Sequence, residues 1–172
     1  MNRSTMIAAL GATLLLSGCG ESKTQPPPEA APPEKLAAGL YELTSEVTSL
    51  SSTDRTTPAT SVKVGDKSVI RACVADNIPA PELLGEAGDS CEIKNQYIHF
   101  GRMSAQMSCK RPGVTGEIMP AMMGSFTADG FSGDITSLTY FAKDGDYRLV
   151  RKVSAKRVGD CPAGGAAAPA AA

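Results

Sequence analysis

The chain reads as all-β: an antiparallel meander of about six to eight strands curled into a small barrel or sandwich, with one short helical segment near residues 80–87. Three observations predict this. Turn signals (Gly65-Asp66, Phe100-Gly101, Asp129-Gly130, Asp144-Gly145) divide the chain into short segments, with almost no helical periodicity between them. Apolar and polar residues alternate along those segments, the mark of a half-buried strand. All eight aromatics and four of the five cysteines fall between Gly39 and Cys161. That stretch of about 123 residues is enough for one domain and too short for two.

At the start of the chain, Arg3 and the apolar run Met6–Leu16 read as a signal segment over residues 1–18. The run spans about 16 Å as a helix, too short for a bilayer core of about 30 Å. It ends in Leu16-Ser17-Gly18-Cys19, which resembles the bacterial lipobox, whose cysteine thiol receives a diacylglyceryl group. Cys19 is therefore the expected lipidation site, and acyl chains there would anchor the protein stably. Gly20 after it leans towards the outer membrane. Residues 19–38, with five prolines and no aromatics, read as the lipidated cysteine and a tether. Residues 162–172 read as a disordered Ala/Gly/Pro tail.

The β domain then occupies residues 39–161. Tyr41, Leu43 and Val47 alternate with Glu42, Thr44 and Glu46 in a first strand. Val62 and Val64, then Val69, Arg71 and Cys73, mark a second region around Gly65-Asp66. Pro79 and Pro81 punctuate the next stretch, where Glu82-Leu83-Leu84-Gly85-Glu86-Ala87 suits a helical turn or two. A strand over 114–127 is interrupted or edged by Pro120. Asp129-Gly130 and Asp144-Gly145 lead into strands at 131–142 and 146–158.

Cysteine arithmetic supports export. With Cys19 acylated, Cys73, Cys91, Cys109 and Cys161 remain to pair in an oxidising compartment. There is no C-x-x-C and only one histidine, so the usual zinc sites are disfavoured. Residues 91–109 suit a hairpin centred on Phe100. That register sets Tyr97 against Met103, Asn95 against Ala105, Ile93 against Met107 and Cys91 against Cys109 on one face. The polar pairs Glu92/Ser108, Lys94/Gln106 and Gln96/Ser104, with Ile98/Arg102, fall on the other. It predicts a Cys91–Cys109 bridge and, by elimination, Cys73–Cys161.

Several stretches carry a family resemblance: Gly39-Leu40-Tyr41-Glu42-Leu43-Thr44, Cys109-Lys110-Arg111-Pro112-Gly113, Phe126 to Gly133, and Lys156-Arg157-Val158-Gly159-Asp160-Cys161. Over Gly39–Cys161 the chain resembles domain of unknown function 3617, a family of small exported bacterial proteins, many of them lipoproteins. The four core cysteines fall where the family's do, and Tyr41 stands where a Trp is common. The resemblance implies location and architecture, and no activity.

Seventeen basic and eighteen acidic residues leave a net charge of −1, which suits neither a nucleic-acid binder nor an acidic disordered tail. His99, beside the hairpin turn, has no Gly-x-Ser-x-Gly elbow to serve and reads as a turn residue. Glu42 and Glu46, about 13 Å apart on one strand face, are too distant for a glycosidase pair. Asp129, Asp134, Asp144 and Asp146 read as turn caps. Met103, Met107, Met119, Met122 and Met123 could offer soft thioethers to Cu(I), but core packing is the simpler use. Arg148, Arg151, Lys152, Lys156 and Arg157 read as a solvated or edge-protecting face rather than an anion site. No catalytic, cofactor-binding or metal residues are assigned. The sequence therefore predicts a non-enzymatic envelope lipoprotein, membrane-anchored through Cys19, facing the periplasm and binding an envelope protein partner or a small ligand. The alternative is a periplasmic copper handler or an enzyme with an unrecognised site.

Overall fold

The computed structural model describes residues 31–162; the signal segment, Cys19, most of the predicted tether and nearly all of the tail lie outside them. Eight strands and one helical turn follow in chain order: β1 (Gly39–Ser52), β2 (Lys67–Ala75), β3 (Ile78–Pro79), α1 (Pro81–Leu84), β4 (Ser90–His99), β5 (Arg102–Lys110), β6 (Gly116–Thr127), β7 (Gly130–Phe141) and β8 (Tyr147–Gly159). All pair antiparallel in one sheet of order β3-β2-β1-β8-β7-β6-β5-β4. The sheet curls into a half-barrel rather than a closed barrel or a sandwich. It stays open along a seam between the β2–β3 edge and β4, and the chain crosses that seam through α1.

Alternation along each strand lines the concave face. β1 turns Tyr41, Leu43, Ser45 and Val47 inward, while β8 turns in Tyr147, Leu149, Arg151, Val153 and Ala155. Leu83 and Leu84 of α1 are fully buried and stop one half of the trough. Full burial of such a side chain contributes about 1.5–3 kcal/mol, so a four-residue helix is held by its packing rather than by intrinsic helicity. Strand β6 runs through Pro120 without breaking from β7, but its pairing with β5 lapses between Ala121 and Ile118. The lapse accommodates a residue that has no N–H to donate.

The β4–β5 hairpin departs from the expected register. Cys91/Cys109, Glu92/Ser108 and Ile93/Met107 pair as expected, but a bulge between Ile93 and Asn95 moves every later pair by one residue. Phe100 and Gly101 form a two-residue turn with φ of 48° and 71°, the double positive φ of a type I′ hairpin. That turn dictates one register and the cysteine bridge dictates another; the bulge reconciles them. Ile98, rather than Tyr97, consequently faces inward: Ile98 is 8% exposed and Tyr97 52%.

Residues 32–38, assigned to the tether by composition, instead lie across one end of the half-barrel. Leu36 is buried there, its N–H donates to Asn77 Oδ1 (2.7 Å), and Ala37 N–H donates to Ala128 O (3.0 Å). Gly101 N–H donates to Pro33 O (3.0 Å), and Asn77 Nδ2 donates to Ile98 O (3.1 Å), joining the two sides of the seam at this end. Both predicted pairs of cysteines are bridged, with Cα separations of 4.0 Å for Cys91–Cys109 and 5.8 Å for Cys73–Cys161.

Candidate binding cleft

The open seam leads into the half-barrel at the end opposite Leu36. A cleft of about 800 Å³ opens there, bounded by Ser68–Arg71 of β2, by Gly85–Cys91 on the approach to β4, and by the inward side chains of Ser45, Val47, Leu149 and Arg151. The volume lies within the range of ligand pockets. Its walls combine valine and leucine side chains with a small set of charged groups.

Behind the cleft lies a buried polar cluster. Arg111 grips Asp89 with two hydrogen bonds, Nε to Oδ1 at 2.8 Å and Nη2 to Oδ2 at 3.0 Å. The same guanidinium donates to Glu86 Oε2 (3.0 Å) and to Tyr147 Oη (2.9 Å). The Asp89 side chain is 1% exposed and that of Glu86 8%. The Asp89 hydrogen bonds are the foremost reason the Arg111 pKa is raised, outweighing its partial burial. Burial, followed by the nearby Glu86, pushes the Tyr147 hydroxyl up.

Arg151 differs from Arg111. It is 5% exposed, and its Nη2 donates to Leu84 O (2.6 Å) at the end of α1. Among the described residues no carboxylate lies within 4.0 Å of it. Desolvation lowers its pKa, with Glu86 and Asp89 acting against the shift from a distance. Its Nε–H has no hydrogen-bond partner, and neither has Glu86 Oε1. One donor and one acceptor are thus left unsatisfied by residues that line the same cleft, an arrangement that costs stability unless something completes it.

Sequence reasoning placed Arg151 in a solvated basic face. Arg148, Lys152 and Lys156 do lie exposed, and Arg157 is half-buried against Ala38 O. Arg151 breaks the pattern because it occupies the inward phase of β8. The period-two reading Tyr147, Leu149, Arg151, Val153, Ala155 contains that signal. Glu86, Asp89 and Arg111 carry no such signal, since all three sit on connections whose direction only the fold decides.

The other candidate residues do not converge. His99 lies half-buried at the hairpin end, its ring centroid 3.8 Å from that of Phe100 and its Nδ1 3.2 Å from Glu34 O. Glu42 and Glu46 pair across to Arg71 and Lys67 of β2. Asp146 accepts from Thr139 Oγ1 (2.9 Å) and Phe141 N–H (2.8 Å), and Asp129 accepts from Thr127 Oγ1 (3.2 Å). Asp134 stands opposite Lys152 in the β7–β8 register, and Asp144 is exposed in the loop between those strands. Met103, Met107 and Met122 face the core, whereas Met119 and Met123 are exposed on the convex side. The five thioethers therefore share no site. Among the described residues no three His, Cys, Asp or Glu side chains cluster as a metal site would require.

A family model described as a protein of unknown function (DUF3617) matches residues 36–161. No curated protein and no solved structure matches the chain.

Proposed function

Because the chain belongs to the DUF3617 family, whose description names no activity, we propose its function from its cleft and its leader: a membrane-anchored envelope lipoprotein whose half-barrel is a binding domain rather than an enzyme. Cys19 carries the anchor, and the domain faces the periplasm from the outer membrane rather than the inner. The lipobox-like Leu16-Ser17-Gly18-Cys19 and two disulfides, which persist in oxidising compartments, support that location. With residues 32–38 packed on the domain, Gly20 to Ala31 form the tether, and they reach about 37 Å if extended at about 3.1 Å per residue.

The observation that carries the binding role is the cleft itself. A buried arginine without an ion partner and a buried carboxylate oxygen without a donor both line one opening in the sheet. A bound protein segment or small molecule would meet both side chains in the cleft wall.

Two measurements test the reading. Intact mass of the native protein from a Gram-negative membrane fraction should correspond to Cys19–Ala172 plus acyl groups, and should rise by four hydrogens on reduction. A soluble, unacylated product would remove the anchor. A photoreactive residue at position 70, whose side chain shares the inward phase of Leu43 in the cleft wall, should form adducts in the native envelope, whereas one at Thr136 on the convex face should not. Equal labelling from both, or none from position 70, would remove the cleft as the site.

A further inference from the structure

The outer edge of β2 narrows what the cleft accepts. In a strand, the N–H and C=O of one residue point to one neighbour and those of the next residue to the other. Cys73 O accepts from Ala80 N–H at 3.0 Å, on the side away from β1. Counting by twos, Arg71 and Val69 present both their backbone groups to that same open side, while Ile70 and Ser68 turn theirs to Leu43 and Ser45 of β1. Strand β3 covers only Val74 and Ala75 before α1 leads the chain away. Below Cys73, no strand among the described residues pairs with this edge, and Ser68–Arg71 form one wall of the cleft.

An unpaired strand edge is a template for another chain unless it is guarded. This one is short of guards. Arg71 is held by Glu42 and Lys67 by Glu46, both from β1, and Val69 between them is 45% exposed.

We propose that the cleft takes an extended peptide segment of a partner protein, which adds to the open edge of β2 as a further strand. Its backbone pairs with the N–H and C=O of Val69 and Arg71. A side chain entering the half-barrel meets Arg151 and Glu86, which line the cleft with their unpartnered Nε–H and Oε1 covered beneath its surface, so a neutral polar side chain such as an amide suits the site better than a charged one. This rests on the cleft being the binding site. A polypeptide fits better than a lipid or sugar because the edge offers a donor and an acceptor at every second residue, a repeat of about 6.8 Å that backbone matches. A lipid chain would leave those groups unsatisfied in a partly dry cleft.

Val69→Pro provides the test, because proline deletes the outward N–H while leaving the ladder to β1, which does not use it, intact. The full chain is presented to a library of random 12-residue peptides displayed on phage, and selected peptides are measured on variants. Val69→Pro should weaken their binding at least about tenfold, and Val69→Ala by less than about threefold. N-methylation at alternate positions of a selected peptide should reproduce the loss on the unaltered protein, which keeps the proposal falsifiable should V69P fold poorly. Equal binding to V69P and V69A, with insensitivity to N-methylation, would overturn the proposal. So would failure to recover any peptide together with lipid or small-molecule adducts at position 70, an outcome that keeps the cleft and removes the strand. A homodimer in light scattering that V69P dissociates would also overturn it, by making a second copy the occupant.

Discussion

Arg111 contacts Glu86 and Asp89 whereas Arg151 feels the same two carboxylates only from a distance, so the two arginines differ in energetics. Asp89 is almost wholly buried and depends on Arg111 for two hydrogen bonds. Arg111→Gln leaves that carboxylate uncompensated and should cost about 3–5 kcal/mol in urea denaturation. Arg151 has no carboxylate in contact, so Arg151→Met, which keeps the length and removes the desolvated charge, should cost less than about 1 kcal/mol. A loss as large as that of R111Q would make Arg151 a structural clamp on α1 rather than a residue of the cleft. Asp54 supplies a pH-dependent case. Its Oδ1 accepts from the Thr56 hydroxyl and N–H, and its Oδ2 from Gly145 and Asp146 N–H, joining the β1–β2 loop to the β7–β8 loop. These bonds, that of the Thr56 hydroxyl foremost, hold its pKa well below the usual carboxylate range. A depressed folded pKa stabilises the protein above the unfolded value of about 3.9 and loses that effect as pH falls towards the folded one. Asp54→Asn should therefore lower Tm at pH 7, and the difference from the unaltered protein should shrink below about pH 4.

The connection from α1 into β4 shows how one element depends on another. Gly85 ends α1 against the Cys91–Cys109 bridge, and a Cβ there would stand 2.7 Å from Cys91 Sγ. Because the neighbouring atom belongs to a crosslinked side chain, it cannot swing aside. Gly85→Ala should destabilise by about 1–3 kcal/mol, and most of that loss should vanish in a Cys91→Ala/Cys109→Ala background, as a double-mutant cycle in denaturant would read. In the β4–β5 hairpin the dependence runs between turn and bridge. Alternation about a turn centred on the single residue Phe100 sets Tyr97 inward, whereas the actual turn has two residues. The pair Phe100-Gly101 both adopt positive φ, which demands an even loop, and the bulge after Ile93 absorbs the mismatch with the cysteine pair.

At the scale of the whole molecule, the first and last of the described strands in chain order, β1 and β8, pair in the middle of the curled sheet, and its two edges are β3 and β4. The Cys73–Cys161 bridge carries the chain end over to β2 with a sequence separation of 88, against 18 for Cys91–Cys109. On the loop-entropy model, deleting the long bridge should cost roughly 4–5 kcal/mol and deleting the short one about 3 kcal/mol. Paired Cys→Ala variants in urea would rank them, and a reversed order would show that the short bridge stabilises through its packing under α1. The seam is also a property of the whole, since it exists only because the sheet fails to close between β2 and β4.

Alternation, turn residues and cysteine count determined by themselves that the chain is all-β, that its strands follow one another as hairpins, and which cysteines pair. These are local or period-two quantities, set by sterics and by which face must be dry, so they are legible in one dimension. The tertiary structure decided the rest. It left the barrel open, laid residues 32–38 across one end, and brought Glu86 and Asp89 of the α1–β4 connection and Arg111 of the β5–β6 connection to Tyr147 and Arg151 of β8. Curvature, closure and the paths of irregular segments depend on how all the strands pack at once. For the same reason the inward phase of Arg151 was readable, while the partners it lacks were not.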